Sequence, residues 1–274
     1  MRLGPEPKRP STGSRAAGIL TPSWSQGRRA ARVRAHVPAV RAARHTTEVA
    51  DPDLAALRVT YTAGALEEHD LAPTPLAQFR TWFDDAAADP AVVEPNAVVL
   101  ATTGASGPSA RTVLVKGLDG EGFRFYTGLG SRKGTDLAAD PRAALLFAWV
   151  PLQRQVSVRG PVEELDRDQV RTYFVSRPYA SRIGAWTSEQ SAPVADRSLL
   201  ERREAELRER WPDTGSPDDV PLPPRWGGFL VRAAEIEFWQ GRPSRLHDRL
   251  VYLALGGTGR MDMAEDWRVE RRQP

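Results

Sequence analysis

Cysteine is absent from all 274 residues. Disulfide staples, thiolate zinc sites, iron–sulfur clusters and cysteine nucleophiles are therefore excluded, which fits a reducing compartment; a cytoplasmic location is expected. Long apolar runs are missing too. The longest, Ala143–Val150, falls far short of the roughly 20 residues a membrane helix needs, so a soluble protein without a membrane partner is expected. Histidine is scarce: beside His247 there are only His36, His45 and His69, which form no ligand cluster, and no metal site is expected.

What is present is ordinary globular material, 41% hydrophobic and 27% charged, enough to build a core without staples. The net charge of +3 is unevenly spread. Residues 1–50 carry ten basic and two acidic side chains, leaving 28 basic against 33 acidic in the remainder. The basic character belongs to the N-terminal segment, so no nucleic-acid partner is expected for the main domain. Residues 1–50 are rich in Arg, Ala, Ser, Gly and Pro and lack a sustained apolar period; they read as a disordered extension. Their composition also resembles an organelle transit peptide, and a third reading has translation start near Val49. Residues 51–274 read as one domain.

From about residue 74 the pattern is that of a folded chain. Thr74 suits an N-cap and Pro75 the first helical position, and Leu76, Phe79 and Phe83 follow at helical spacing with Trp82 beside them. Strand-type runs come next: Asn96–Thr102, Ala110–Lys116, Phe123–Thr127, Ala143–Val150 and Gln155–Glu163, with turns such as Asp119-Gly120 between them. Ser131–Ala139, Asp166–Ser176 and Val194–Arg210 read as helices. Gly227–Trp239, Leu246–Leu253 and Trp267–Glu270 read as closing strands. Strands in succession with short helical insertions predict a mainly β, antiparallel barrel with peripheral helices.

Four segments carry chemistry. Arg111-Thr112-Val113-Leu114-Val115-Lys116 places two cations on an apolar strand, where an unpaired buried charge is costly. Both ends reaching solvent is the plain alternative; serving one site requires a bulge or a strand end to re-aim Lys116. In Tyr126-Thr127-Gly128-Leu129-Gly130-Ser131-Arg132-Lys133-Gly134 a strand ends, glycines turn the chain and Ser131 can cap a helix. Arg132 and Lys133 then occupy a first turn that disfavours cations unless an anion sits among the free N–H groups. Lys133 at the third glycine position excludes a Rossmann fingerprint, and the spacing excludes a P-loop. The alternative there is a solvated helix start. Tyr173 and Arg177 share one face of a helix that Pro178 terminates, with Ser181 in the following turn. Phenol, guanidinium and hydroxyl together could hold a phosphate, or form an exposed helix end with ordinary caps. Finally, if the chain is extended from Leu246, then Arg245, His247 and Arg249 share one strand face and call for an anionic or π-rich ligand.

In this order and spacing, these segments, with Arg-Gln-Val, Ser-Arg-Pro, Gly-Ala-Trp-x-Ser-x-Gln-Ser and Phe-Trp-Gln-Gly…Arg-Leu-His-Asp-Arg, resemble the pyridoxamine 5'-phosphate oxidase family over roughly residues 55 to 274. The resemblance implies an FMN-binding split barrel, a Greek-key antiparallel barrel working as a homodimer with FMN at the subunit interface. It implies that FMN is held by Arg111, Thr112, Val113, Leu114, Val115, Lys116, Tyr126, Thr127, Arg132 and Lys133, with Gln155, Gln190, Ser191, Trp239 and Arg249 completing the site. Substrate phosphate would lie against Lys116, Tyr173, Arg177 and Ser181. Arg245 and His247 would cover the pyridine ring as the catalytic pair, and Arg58 and Tyr61 of Arg58-Val59-Thr60-Tyr61 would fold over the bound substrate. The implied reaction converts pyridoxamine or pyridoxine 5'-phosphate to pyridoxal 5'-phosphate, with O2 reduced to hydrogen peroxide. The C-terminus departs from the family pattern at Arg272, where an apolar residue is usual, which bears on local dimer packing. Two rival functions share the FMN segments: a split-barrel oxidase of another pathway, such as a phenazine-type enzyme, and a non-catalytic flavin- or pyridoxal-phosphate-binding protein.

Overall fold

Alternating burial sets the architecture. In β1 (Ala97–Gly104) Val98, Leu100 and Thr102 are buried between more open neighbours, the period-two pattern of a strand with one face inward. β5 (Arg142–Trp149), β6 (Arg154–Glu164) and β8 (Glu235–Gln240) repeat it with Leu145 and Phe147, Val156 and Val158, and Ile236 and Phe238. The register aligns Leu100, Leu145, Val158, Ile236 and Tyr252 across successive strands, so one continuous wall of side chains faces the barrel interior. In the computed structural model, which describes residues 53–274, this wall belongs to a unit spanning Ala55–Pro274. The extension expected at residues 1–50 lies outside the described residues.

The strands run β10 (Trp267–Arg271), β9 (Asp248–Ala254), β8, β6, β5, β1 and β2 (Gly107–Leu114) along one path, every pair antiparallel. A second path leaves from the far half of β6 to β7 (Trp226–Val231), β4 (Gly122–Gly128) and β3 (Gly117–Asp119). β6 therefore pairs with β8 over Arg154–Arg159 and with β7 over Val162–Glu164, and the barrel splits there. The expected mainly β split barrel is the architecture observed.

The split corrects one expectation. The run Gly227–Trp239, read as one closing stretch, is two strands separated at Arg232–Ala234, where Arg232 N–H bonds Pro161 O and Ala234 N–H bonds Arg159 O. The chain crosses β6 so closely that a Cβ on Gly160 would lie 1.8 Å from Arg232 O. Only glycine allows that approach.

Five helices surround the barrel among the described residues. α1 (Pro75–Ala88) starts as expected, Thr74 accepting from Ala77 N–H at 3.2 Å, and buries Phe79 edge-on to Phe123 and Phe147, with ring centroids 5.0 and 4.9 Å away. Its removal as Phe79→Ala should cost on the order of 3–5 kcal/mol, readable by denaturant unfolding. α2 (Arg132–Ala139) follows β4. α3 (Arg167–Val175) and α4 (Tyr179–Thr187) bury Val170, Phe174 and Ile183 against Trp226 and Leu230 of β7. α5 (Arg197–Arg210) begins three residues later than the expected Val194 because Asp196 is its cap.

Candidate active site

The first group of expected residues gathers where β4 gives way to α2. Ser131 caps α2, its Oγ accepting from Gly134 N–H. Lys133, only 7% exposed, donates from Nζ to Thr127 Oγ1 at 3.1 Å and Ser131 Oγ at 3.3 Å. Burial, helped by the neighbouring Arg111, presses its pKa below that of an ordinary lysine. Thr127 Oγ1 donates to Gln190 Oε1 at 2.7 Å, which also accepts from Gly128 N–H. Ser191 Oγ accepts from Arg132 N–H. Thr127, Arg132, Lys133, Gln190 and Ser191 thus come together.

Arg111 joins them from β2. It pairs with Leu100 and so faces inward, donating to Thr102 Oγ1 at 2.7 Å and Ser109 Oγ at 2.6 Å, with Asp136 of α2 at 3.7 Å. Burial lowers its pKa and Asp136 opposes the shift. Val113 also faces the core, while Thr112 is exposed. β2 stops at Leu114; Val115 and Lys116 N–H then bond Asn96 O and Arg124 O. The strand end, not a bulge, frees Lys116 from the alternation of β2.

A stack of rings connects this group to the expected phosphate residues. Tyr173 lies on Tyr126 at 3.9 Å and 17°, Tyr126 on Trp226 at 5.6 Å and 8°, and the Arg177 guanidinium stands 4.8 Å from the Trp226 ring. Burial raises the pKa of both tyrosines and lowers that of Arg177. Arg177 Nη1 is buried without any hydrogen-bond partner. The expected shared helix face is wrong. α3 stops at Val175, Arg177 N–H closes a turn on Phe174 O, and Pro178 begins α4 rather than merely ending α3. Ser181 sits inside the first turn of α4, not in a loop. The ring stack, rather than helical spacing, brings Tyr173 near Arg177.

The second group lies elsewhere. Gln155, Trp239 and Arg249 are paired across β6, β8 and β9, alternating with buried Val156, Phe238 and Leu250, so they face outward. Arg249 is held by Glu237, Nη2 to Oε2 at 2.7 Å. His247 Nδ1 accepts from Arg242 N–H at 3.0 Å; this assigns the ring proton of the neutral form to Nε2, leaving that nitrogen a donor. Its ring lies 4.6 Å from Trp239 and 5.8 Å from Tyr61. Arg58, also expected over the substrate, is exposed and donates to Ala55 O.

Arg245 departs from expectation. β9 begins only at Asp248, and Pro243–Arg245 form a tight turn with Ser244 at φ 59° and Arg245 at φ 63°. Arg245, His247 and Arg249 therefore do not share a strand face. Two consecutive non-glycine residues in the left-handed region are strained, and such strain is characteristic of functional positions.

The two groups are separated by sheet geometry. Arg111 faces inward on β2, while Gln155, Trp239 and Arg249 face outward on β6, β8 and β9, with β8 four strand spacings or about 19 Å along the sheet from β2. Within one chain they do not converge. Sequence reasoning missed Trp226 and Asp136: a lone tryptophan after a proline-rich stretch and one acid on a short helix carry no signal until the fold sets them beside Tyr126 and Arg111. Among the described residues no His, Asp and Glu cluster could hold a metal, and no helix is long and apolar enough to cross a membrane.

These features define an antiparallel split-barrel protein with buried, anion-seeking cations at a helix N-terminus. Residues 84–211 match the family model described as pyridoxamine 5'-phosphate oxidase, and residues 226–274 match the pyridoxine 5'-phosphate oxidase C-terminal dimerisation region. A pyridoxine/pyridoxamine 5'-phosphate oxidase of Kineococcus radiotolerans is 61% identical over 81% of this chain and 99% of the relative; one of Cupriavidus taiwanensis is 51% identical over the same shares. The crystal structure of PhzG from Burkholderia lata 383 with tetrahydrophenazine-1-carboxylic acid superposes with a TM-score of 0.67 at 28% identity, covering 77% of this chain and 98% of that one. An FMN-binding protein of Nostoc punctiforme, 18% identical with a TM-score of 0.55 over 75% of this chain and 100% of that one, shares the fold. The chain belongs to the pyridoxine/pyridoxamine 5'-phosphate oxidase family. It is accordingly a flavoprotein oxidoreductase of that family.

Proposed function

We propose that two copies of this chain form a cytoplasmic homodimer that uses FMN to oxidise pyridoxamine and pyridoxine 5'-phosphates to pyridoxal 5'-phosphate. O2 is the final acceptor, giving hydrogen peroxide, and the amine substrate also releases ammonia. The observation that carries this reading is a pair of cations without carboxylate partners, the buried Lys133 and the half-buried Arg177. Lys133 meets only hydroxyls, and Arg177 keeps an unpartnered Nη1. Buried charge is costly unless paired; two phosphates, one on the cofactor and one on the substrate, supply the pairing. These residues therefore fit FMN and a phosphorylated substrate side by side.

In this reading Arg111, Arg132 and Lys133 bind the FMN phosphate at the α2 N-terminus, with Thr127, Gln190 and Ser191 fixing their geometry, and Thr112 through Val115 and Tyr126 line the flavin. Lys116, Tyr173, Arg177 and Ser181 hold the substrate phosphate. The outward-facing Gln155, Trp239 and Arg249 come from the partner copy, because their own face of the sheet points away from Arg111. Arg245 and His247 arrive with them over the substrate ring, and Arg58 and Tyr61 lie above it. Bound FMN supplies the hydride acceptor. Arg245 offers a fixed charge against negative charge developing on the substrate, and His247 offers Nε2–H as a donor.

A phenazine-type function is favoured by the likeness to PhzG. The relatives at 50–61% identity and the convergence of Tyr173 with Arg177 favour the vitamin B6 substrates. The visible spectrum of the purified protein, followed by addition of pyridoxine 5'-phosphate under air, tests the reading. Flavin absorbance and stoichiometric aldehyde and peroxide are expected; a flavin-loaded protein that forms no aldehyde from either substrate overturns it.

A further inference from the structure

The segment bearing Tyr61 has no regular secondary structure, yet it is pinned at two points just after that residue. Gln153 sits at φ 54° in the left-handed region, and its side-chain Oε1 accepts from both Thr62 N–H at 2.8 Å and Ala63 N–H at 3.0 Å. Its backbone carbonyl accepts from Gly241 N–H at 2.8 Å. One residue thus ties the Tyr61 segment to the end of β8. Gly241 has no positive φ, so its bare α-carbon is not there for backbone freedom. A Cβ on it would stand 2.6 Å from Cδ2 and 2.9 Å from Cγ of Tyr61: the ring lies directly on the Gly241 backbone.

The second pin is at Leu66, five residues after Tyr61. Asp248 Oδ2 accepts from Leu66 N–H at 3.0 Å, and Oδ1 accepts from Arg271 Nη1 at 2.9 Å. Arg271 also donates to Leu66 O and to Glu67 and Glu68. Asp248 follows His247 directly in the chain, so the latch fixes the segment in register with the ring-covering group. Immediately before the first pin, the Tyr61 ring meets Trp239 edge-on at 6.0 Å and 88° and approaches His247 to 5.8 Å.

We infer that Gln153, Gly241 and the Asp248–Arg271 pair are positioning residues that seat Tyr61 over the substrate-ring subsite before substrate arrives. The inference rests on the proposed oxidase reading for what the subsite binds, but not for the pinning itself. Seating the segment in advance removes its ordering cost from substrate binding. Loss of a pin therefore weakens capture of the substrate more than it slows the step that follows.

The test uses FMN-loaded protein with Gln153→Ala, Gln153→Glu, Gly241→Ala, Tyr61→Ala and the Gly241→Ala/Tyr61→Ala double variant, matched for flavin content and Tm. Amide hydrogen exchange at Thr62 and Ala63 reads the pin without reference to turnover. It is expected to be slow in the wild type, fast in Gln153→Ala and slow again in Gln153→Glu, whose carboxylate still accepts both bonds. With pyridoxine 5'-phosphate, freeing two backbone donors in Gln153→Ala should raise KM about tenfold while kcat stays within about twofold. Gly241→Ala should raise KM when Tyr61 is present and have no further effect in the Tyr61→Ala background. Rapid exchange at Thr62 and Ala63 in the wild type, unchanged KM in Gln153→Ala, or an equal Gly241→Ala effect with and without Tyr61 overturns the inference. Protected amides in a protein that oxidises neither vitamin B6 substrate support the pinning and overturn the functional reading instead.

Discussion

The cations near α2 and those on the closing strands live under opposite electrostatics. Lys133 is buried and Arg177 half-buried, neither has a carboxylate among the causes of its shift, and burial lowers both pKa values. Arg249, Arg271 and Arg272 instead meet Glu237, Asp248 with Glu67 and Glu68, and Glu235 with Glu270. For Arg271 and Arg272 these bonds raise the pKa. The difference separates two uses of charge: a charge paired within its own chain holds strands and segments together, whereas a charge withdrawn from water without a carboxylate is costly and gains from an anionic ligand. Arg272, which departs from the family's apolar residue, falls in the first class. Arg111, with Asp136 at 3.7 Å, stands between the two.

Arg245 tests the comparison most severely. It belongs to the closing-strand region by position, yet among the described residues it forms no ion pair, and it is held in a strained turn. If it covers the substrate ring, Arg245→Leu should leave FMN content unchanged and lower the rate of anaerobic flavin reduction on the order of a hundredfold, as for other charges preorganised at a reacting centre. Arg245→Lys should recover only part, since an ammonium cannot lie flat over a ring. Wild-type rate and half-saturation in stopped flow with Arg245→Leu would end its catalytic assignment.

Next in size is the contrast between the two unpaired cations. Lys133→Ala removes a charge-assisted hydrogen bond to the FMN phosphate and should cost roughly 1.5–3 kcal/mol, about ten- to a hundredfold in flavin Kd. Arg177→Ala should instead raise KM for the phosphorylated substrate and spare flavin affinity. Equal flavin Kd values in the two variants would show that the two phosphates have been wrongly assigned.

Lys133 also gives a pH dependence. Its lowered pKa means that the ammonium is lost at lower pH than in an ordinary lysine. An anion favours the charged form, so flavin binding should take up protons and weaken as pH rises into that range. Titration calorimetry of FMN in buffers of different ionisation enthalpy reads the uptake; a proton-neutral reaction across the alkaline range would remove Lys133 from the phosphate.

Much of this contrast was legible in the sequence, for physical reasons that can be named. Short β-type runs between turn signals mark the strands, and Ser131 followed by Arg132 and Lys133 marks an anion-seeking helix start, because turns, caps and charges act locally. What was not legible depends on contacts distant in sequence. The split at Gly160 needs Arg232, 72 positions later. Extension from Leu246 would set Arg245 on one face with His247 and Arg249, yet the chain turns at Ser244 and β9 begins only at Asp248. The nearness of Tyr173 and Arg177 was anticipated for the wrong reason, the real cause being a ring stack through Tyr126 and Trp226. Gln153 gave no sign of itself, since its role is set by the segment laid across it.

The smallest expected effect lies on the paired side, at Glu68. The Arg271 hydrogen bond holds its carboxyl down to about 2, from an ordinary value of 4.5. A carboxylate favoured in the folded state adds stability that is fully present above the unfolded value, here 4.5, and is lost as pH falls through the folded value near 2. Glu68 is fully exposed, so salt screens the pair and its contribution is small. The Tm difference between wild type and Glu68→Gln should therefore be level above pH 4.5, shrink between 4.5 and 2, and narrow in high salt at neutral pH. A difference that stays undiminished down to pH 2 would mean that Glu68 acts by packing rather than charge. The Arg271 latch would then belong with neither class of cation.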